Sequence, residues 1–155
     1  MNDALGLDLH DELGHLVRRA QQISVSMFRE TIQLDITPTQ YAVLRMLQVV
    51  PGIDQLTLAG LVALDKSTTA DIAVRLEAKG WVQREVLPRG RRCLTLTPDG
   101  SDALASMAPS VVELRDKMLA KLSPEENIEF SRLLKKFVHL NNELSRAPLQ
   151  VLKVT

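Results

Sequence analysis

The stretch that decides the fold is Leu56–Gly100, LTLAGLVALDKSTTADIAVRLEAKGWVQREVLPRGRRCLTLTPDG. Leu56 to Ala63 has helical spacing, and Leu64-Asp65-Lys66 turns the chain into a second helical run, Ser67 to Lys79. Gly80 closes that run as a C-terminal cap, because a helix end favours a left-handed residue and glycine adopts that conformation without a steric penalty. Two short strand-like runs follow, Trp81–Leu87 and Cys93–Leu96, on either side of the basic turn Pro88-Arg89-Gly90-Arg91-Arg92. Helix pair, hairpin and basic tip, in that order, spell a winged helix-turn-helix. A helix with a small, hydroxylated N-terminal face suits a groove, and an arginine-tipped hairpin suits the backbone beside it. DNA is therefore the first partner to consider.

Outward from this centre the chain is helical. Leu9 to about Gln33 reads as one long helix with Leu9, Leu13, Leu16, Ala20, Ile23 and Met27 near one face. Thr37 caps and Pro38 opens a second helix that runs to about Val49, burying Tyr41, Val43 or Leu44, and Leu47, before Val50-Pro51-Gly52 stops it. Thr97-Pro98 repeats that start signal for a helix to about Leu122, and Ser123-Pro124-Glu125-Glu126 has the spacing of a capping box for a last helix that ends before Pro148. The fold class is mainly α: a winged helix-turn-helix over residues 35–97, with long N- and C-terminal dimerisation helices over 1–34 and 98–155. The end helices carry more apolar surface than a small central domain covers, and a two-fold homodimer is the simplest way to hide it. A monomeric bundle folded back on the centre is the alternative.

Composition narrows the function classes. At 155 residues the chain forms one domain with helical extensions. Only 3% of residues are aromatic, so the core must be aliphatic. No apolar run approaches the ~20 residues that span a bilayer. The start, MNDALGLDLHDEL, is acidic and lacks a leader pattern, so a cytoplasmic address and no membrane partner are expected. Cys93 is the single cysteine, which excludes an intrachain disulfide and leaves no Cys/His cluster for zinc. Neither metal nor cofactor is expected. No nucleophile–base pair or phosphate-binding glycine loop is visible, so no catalytic residue is assigned and the chain does not read as an enzyme.

Net charge is zero, but its distribution is uneven. Lys66, Arg75, Lys79, Arg84, Arg89, Arg91 and Arg92 crowd the centre against Asp71, Glu77 and Glu85, whereas Asp3, Asp8, Asp11 and Glu12 mark the start. Arg89, Arg91 and Arg92 at the wing tip are the firmest DNA candidates, since a narrow minor groove favours arginine. Ser67, Thr68 and Thr69 open the recognition helix and suit phosphates or base edges, although Ser67 also serves as a plain cap. Asp71 either accepts from a cytosine amino group or is a solvated charge. Arg75 serves a phosphate or an internal ion pair rather than a base. Thr39 and Gln40, at the start of the second helix, add phosphate contacts. Cys93, in a wing strand, reads as a buried structural thiol, and Trp81 as packing under the wing.

The pieces TPTQYAVLRML, LTLAGLVALDKSTTADIAVRLEAKGWVQR, a wing ending in Arg91-Arg92, LTPDG and the late LSPEE with LLKK resemble the MarR (multiple antibiotic resistance regulator) family over roughly Leu9 to Val138. Among its members the chain looks most like repressors of aromatic-acid catabolism, of the nicotinate-pathway or benzoate-pathway type. That resemblance implies a homodimeric repressor on a pseudo-palindromic double-stranded operator, released by a small aromatic carboxylate. It also implies a ligand pocket where the dimerisation helices meet the winged helix. The candidates at that seam are His10, His15, Arg18 and Arg19 from the first helix, with Tyr41 and Arg45 from the second. A carboxylate calls for an arginine fork or a histidine, and its ring for apolar walls. The histidines and Arg18/Arg19 are equally readable as surface or dimer contacts. The wing departs from the family pattern: Gly90 stands where an aspartate is usual, and the strand after Arg92 is shorter by an even number of residues. An even shortfall preserves in–out alternation, so a shorter wing is expected. The competing function is a winged-helix protein-interaction module without sequence-specific DNA binding.

Overall fold

A computed structural model describes residues 8–152. Residues 1–7 and 153–155, and with them Asp3 and the outer ends of the expected dimerisation segments, lie outside the described residues. The long first helix is divided. A single turn at Leu9–Asp11 is capped by Asp8, which accepts from the His10 amide at 2.9 Å, and Glu12 is extended before helix α1, Leu13–Thr31. Two reciprocal bonds set the start of α2, Pro38–Val49: Thr37 Oγ1 accepts from the Gln40 amide (3.2 Å), and Gln40 Oε1 accepts from the Thr37 amide (3.1 Å).

Gly52, at φ 75°, turns the chain into β1, Ile53–Asp54. This strand is absent from the sequence reading because two residues carry no period. Asp54 caps α3, Gln55–Leu61, by accepting from the Thr57 amide at 2.9 Å. Helix α4, Lys66–Ala78, follows a tight turn in which Ala63 takes φ 54°. Its cap is Asp65, not Ser67: Asp65 has the extended backbone of a cap, and its carboxylate accepts from the Thr68 amide. Strands β2 (Val82–Val86) and β3 (Arg92–Leu96) form the wing, paired over five residues from Val82↔Leu96 to Val86↔Arg92. The sheet is antiparallel in the order β1-β3-β2, so β3 is central. The shortened wing closes with full register.

Thr97 caps α5, Pro98–Leu119, and also ties it down. Its amide donates to the Trp81 carbonyl at 3.1 Å. Gly100, one turn into α5, approaches the same carbonyl so closely that a Cβ there would meet the oxygen at 2.0 Å. Helix α6, Pro124–Leu140, starts with the expected Ser123/Glu126 capping box. The core is aliphatic, as composition requires, with Val43, Leu44, Leu58, Leu76 and Leu94 fully enclosed and Phe28 its one buried aromatic ring among the described residues. Trp81 is half-buried against this core, with the Lys79 ammonium 5.2 Å above its ring. The end helices are different. Helix α1 buries only Phe28 and Thr31, and α6 buries no residue, leaving Leu13, Leu16 and Ile23 on one and Ile128, Leu134, Phe137 and Leu140 on the other exposed.

Candidate nucleic-acid interface

At the head of α4 the Asp65 carboxylate accepts from the Thr68 amide (2.8 Å), the Ser67 hydroxyl (2.7 Å) and the Thr68 hydroxyl (2.7 Å). These donors, the Thr68 amide first, hold the Asp65 carboxyl far below the ordinary carboxylate range. Ser67 is exposed and Thr68 half-buried; with their hydroxyl protons turned inward, their oxygens are left as acceptors. Thr69 is a correction to the expected set: it is 1% exposed and its hydroxyl donates to the Asp65 carbonyl at 2.8 Å. It belongs to the helix interior. Gln40 is a second correction, because the box with Thr37 consumes its side chain and buries it. Thr39 stays exposed, its hydroxyl 3.0 Å from that of Thr37.

The basic residues divide by partner. Arg84 is paired with Glu77 at 2.6 Å and Lys79 with Asp35 at 2.7 Å, so neither offers a free cation. Arg75, Arg89, Arg91, Arg92 and Lys66 are exposed and form no ion pair among the described residues. Asp71 is exposed one turn into α4. At the tip of the wing Arg89 and Gly90 both take left-handed backbone, φ 68° and 73°, and the Leu87 amide donates to the Arg91 carbonyl at 2.7 Å. This turn brings Arg89, Arg91 and Arg92 opposite the start of α3 and Lys66, the first residue of α4. Together with Lys66 they line a cleft of about 530 Å³ whose acid is Asp54. Hydrogen bonds from Thr57, with the Arg91 charge nearby, hold Asp54 below its ordinary range, so it stays an anion facing the wing. Lys66 is the residue that the sequence reading left out of the site. Its signal was its place in the basic run, one position after the true cap.

A second cleft, about 240 Å³, lies between α2 and α5, lined by Tyr41, Arg45, Gln48, Leu104, Ala108 and Val111 among others. Arg45 donates to Gln48 one turn further along α2, and the Tyr41 ring lies 6.0 Å from that of Phe28. Tyr41 and Arg45 are thus brought together. The other ligand candidates are not brought to this cleft within one chain: His10 and His15 stack edge-on at 5.4 Å, Arg18 reaches His15 Nδ1 at 3.4 Å, and Arg19 donates to Gln22 at 2.9 Å. Among the described residues no cluster of His, Cys, Asp and Glu could hold a metal, and no helix is long and apolar enough to cross a membrane.

The MarR family model matches residues 36–94, from the approach to α2 through the centre of β3. Over 133 residues the chain is 31% identical to transcriptional regulator HosA of Escherichia coli, covering 84% of this chain and 98% of HosA. The chain belongs to the MarR family. It is a transcriptional regulator with a DNA-binding winged helix, and its relatives are regulators rather than enzymes. Two solved MarR-type structures share the fold closely. PcaV of Streptomyces coelicolor, in complex with its natural ligand, is 32% identical with TM-score 0.79, over 86% of this chain and 96% of PcaV. BpsR of Bordetella bronchiseptica, whose DNA binding is regulated by 6-hydroxynicotinic acid, is 28% identical with TM-score 0.79, over 86% of this chain and 98% of BpsR.

Proposed function

We propose that this MarR-family regulator is a homodimeric repressor that binds a pseudo-palindromic operator and is released by a small aromatic acid of the hydroxynicotinate or benzoate type. The observation that carries the reading is the cleft where Lys66, the first residue of α4, meets Arg89, Arg91 and Arg92 of the wing beside the start of α3, none of the four in an ion pair among the described residues. Cations in excess of the one acid, Asp54, and set on two elements of different shape, are what a duplex backbone and its adjoining groove require. Ser67, Thr68, Asp71 and Arg75 follow on the face of α4, with Thr39 at the start of α2. Residues 35–97 form the DNA-binding lobe, and 1–34 with 98–155 the dimerisation region. The uncovered apolar faces of α1 and α6 support the second copy.

The effector's place is the cleft between α2 and α5. Arg45 offers a guanidinium to the carboxylate, Tyr41 a phenol, and Leu104, Ala108 and Val111 apolar walls for the ring. Helix α2 belongs to the DNA-binding lobe and α5 leads out of it, so a wedge between them alters the separation of two recognition helices. Half-sites one turn apart need about 34 Å. The acid must bind the released form more tightly than the DNA-bound form, because equal affinity shifts nothing. Fluorescence anisotropy tests this on duplex DNA from upstream of the chain's own gene, at two salt concentrations, with and without hydroxynicotinate and benzoate-type acids. Salt-sensitive binding to that duplex over a scrambled one, relieved by one acid, is expected. Absence of any salt-dependent DNA binding would sink the reading and favour a protein-interaction module.

A further inference from the structure

After α6 and a single turn at Asn142–Leu144, the chain doubles back onto the DNA-binding lobe. Asn142 grips Leu149 by its backbone: Nδ2 donates to the Leu149 carbonyl (3.0 Å), and Oδ1 accepts from the Leu149 amide (2.8 Å). One residue on, the Gln150 amide donates to the carbonyl of Gly60 in α3 at 2.8 Å. The Gln150 side chain lies directly over Gly60, where a Cβ would come within 2.6 Å of Oε1 and 2.8 Å of Cδ. Ala147 and Pro148, between the two anchor points, are half-buried.

Gly60 is otherwise hard to explain. It sits inside a helix, where glycine is among the least favourable residues, and its backbone is not left-handed. A close-lying segment that leaves no room for a side chain accounts for it. We propose that residues 148–152 form a strap that fastens α6 to α3 and holds the DNA-binding lobe in the orientation suited to the operator, with Asn142 and Gln150 as its positioning residues. The strap joins an end helix of the chain to the first helix of the helix-turn-helix. It therefore fixes in advance an orientation that would otherwise have to be ordered on binding. It touches the lobe at Gly60, near the end of α3, and none of residues 148–152 lines the arginine cleft, so releasing it removes no cation of that cleft.

The test uses four proteins at equal chain concentration: the full chain and a chain ended after Ala147, each with Gly60 or with Gly60→Gln. In the shortened chain Gly60→Gln raises Tm by about 2–4 °C, because glutamine is the better helix former. In the full chain the new side chain takes the space of Gln150, and Tm stays level or falls. An equal rise in both backgrounds overturns the strap. This arm involves no DNA, so it decides the strap even if the operator reading fails. The second arm rests on that reading. Full-length Gly60→Gln and the shortened chain each lose about three- to tenfold in operator affinity, the scale of one lost hydrogen bond, and the doubly altered chain loses no more. The slope of affinity against salt is unchanged. Unaltered affinity, or a shallower salt slope in the Gly60→Gln chain, overturns the positioning role.

Discussion

Replacing Gly100 by alanine probes how α5 is joined to the DNA-binding lobe. The added Cβ would lie 2.0 Å from the Trp81 carbonyl oxygen, 2.9 Å from its carbon and 3.1 Å from its Cα. All three are backbone atoms at the corner between α4 and β2, so no side chain can rotate out of the way. Restoring a carbon–oxygen separation of about 3.3 Å requires the first turn of α5 to retreat by more than an ångström. That retreat breaks the 3.1 Å bond from the Thr97 amide to the same carbonyl. Leaving those groups unpaired costs about 1–3 kcal/mol. Residual overpacking adds about 1–3 kcal/mol. The better helix propensity of alanine returns at most about 1 kcal/mol. The middle of these ranges is a net loss of about 3 kcal/mol, which for a chain of this size lowers Tm by roughly 6–12 °C. Thermal unfolding followed by circular dichroism at fixed chain concentration reads this directly. A Tm within two degrees of the parent, or above it, would refute the claim that this approach locks α5 to the lobe.

Arg89→Ala, Arg91→Ala and Arg92→Ala should each reduce the slope of log affinity against log salt by about 1 where the side chain holds a phosphate, whereas Thr69→Val should cost about 1 kcal/mol of stability and leave the slope alone. Anisotropy titrations at several salt concentrations separate the two classes; a changed slope for Thr69→Val would return that residue to the interface. Arg45→Gln should leave operator affinity intact and abolish release by an aromatic acid, measured as the acid concentration that halves binding; retained release places the effector elsewhere. The folded chain holds the Asp65 carboxyl far below its unfolded value, so the unfolded chain binds the proton first as pH falls. The stabilisation by this carboxylate is complete above about pH 4 and is lost as pH drops further towards the folded value. Asp65→Asn caps without titrating, and its Tm should fall less steeply than the parent's between about pH 4 and about pH 2. Parallel curves would remove Asp65 from the acid limb.

The parts of this fold that could be read from sequence are those set by neighbours along the chain. Thr37-Pro38, Thr97-Pro98 and Ser123-Pro124 announce helices within four residues, and the structure starts α2, α5 and α6 at those prolines. The cap of α4 is harder to read, because Asp65, Ser67, Thr68 and Thr69 are all able to cap and lie within five positions. Which one caps depends on where the α3–α4 turn leaves the backbone extended, and that is set by packing of the two helices. The same ambiguity misplaced Thr69, whose hydroxyl turns inward, and Gln40, drawn into the box with Thr37. Strand β1 and the contact of Gly100 with Trp81 depend on pairings across many residues, which no local pattern reveals. Among the ligand candidates, Tyr41 and Arg45 share one helix face one turn apart and so meet in one cleft. The N-terminal candidates depend on how α1 and the turn before it are packed, and within a single chain His10, His15 and Arg18 contact one another while Arg19 donates to Gln22.

Cys93 lies in β3, the middle strand, opposite Asp54 on one side and Glu85 on the other, and it is 6% exposed. A thiol-reactive reagent reaches a sulfur in that position only when the side chains that cover it move aside. Because the chain has no other cysteine, every modification event is assigned without ambiguity. Labelling rate therefore becomes a clock for uncovering of this face of the wing, readable by mass spectrometry on the natural sequence. Run with and without duplex, the same clock reports whether bound DNA shields or stiffens the hairpin, with no residue exchanged.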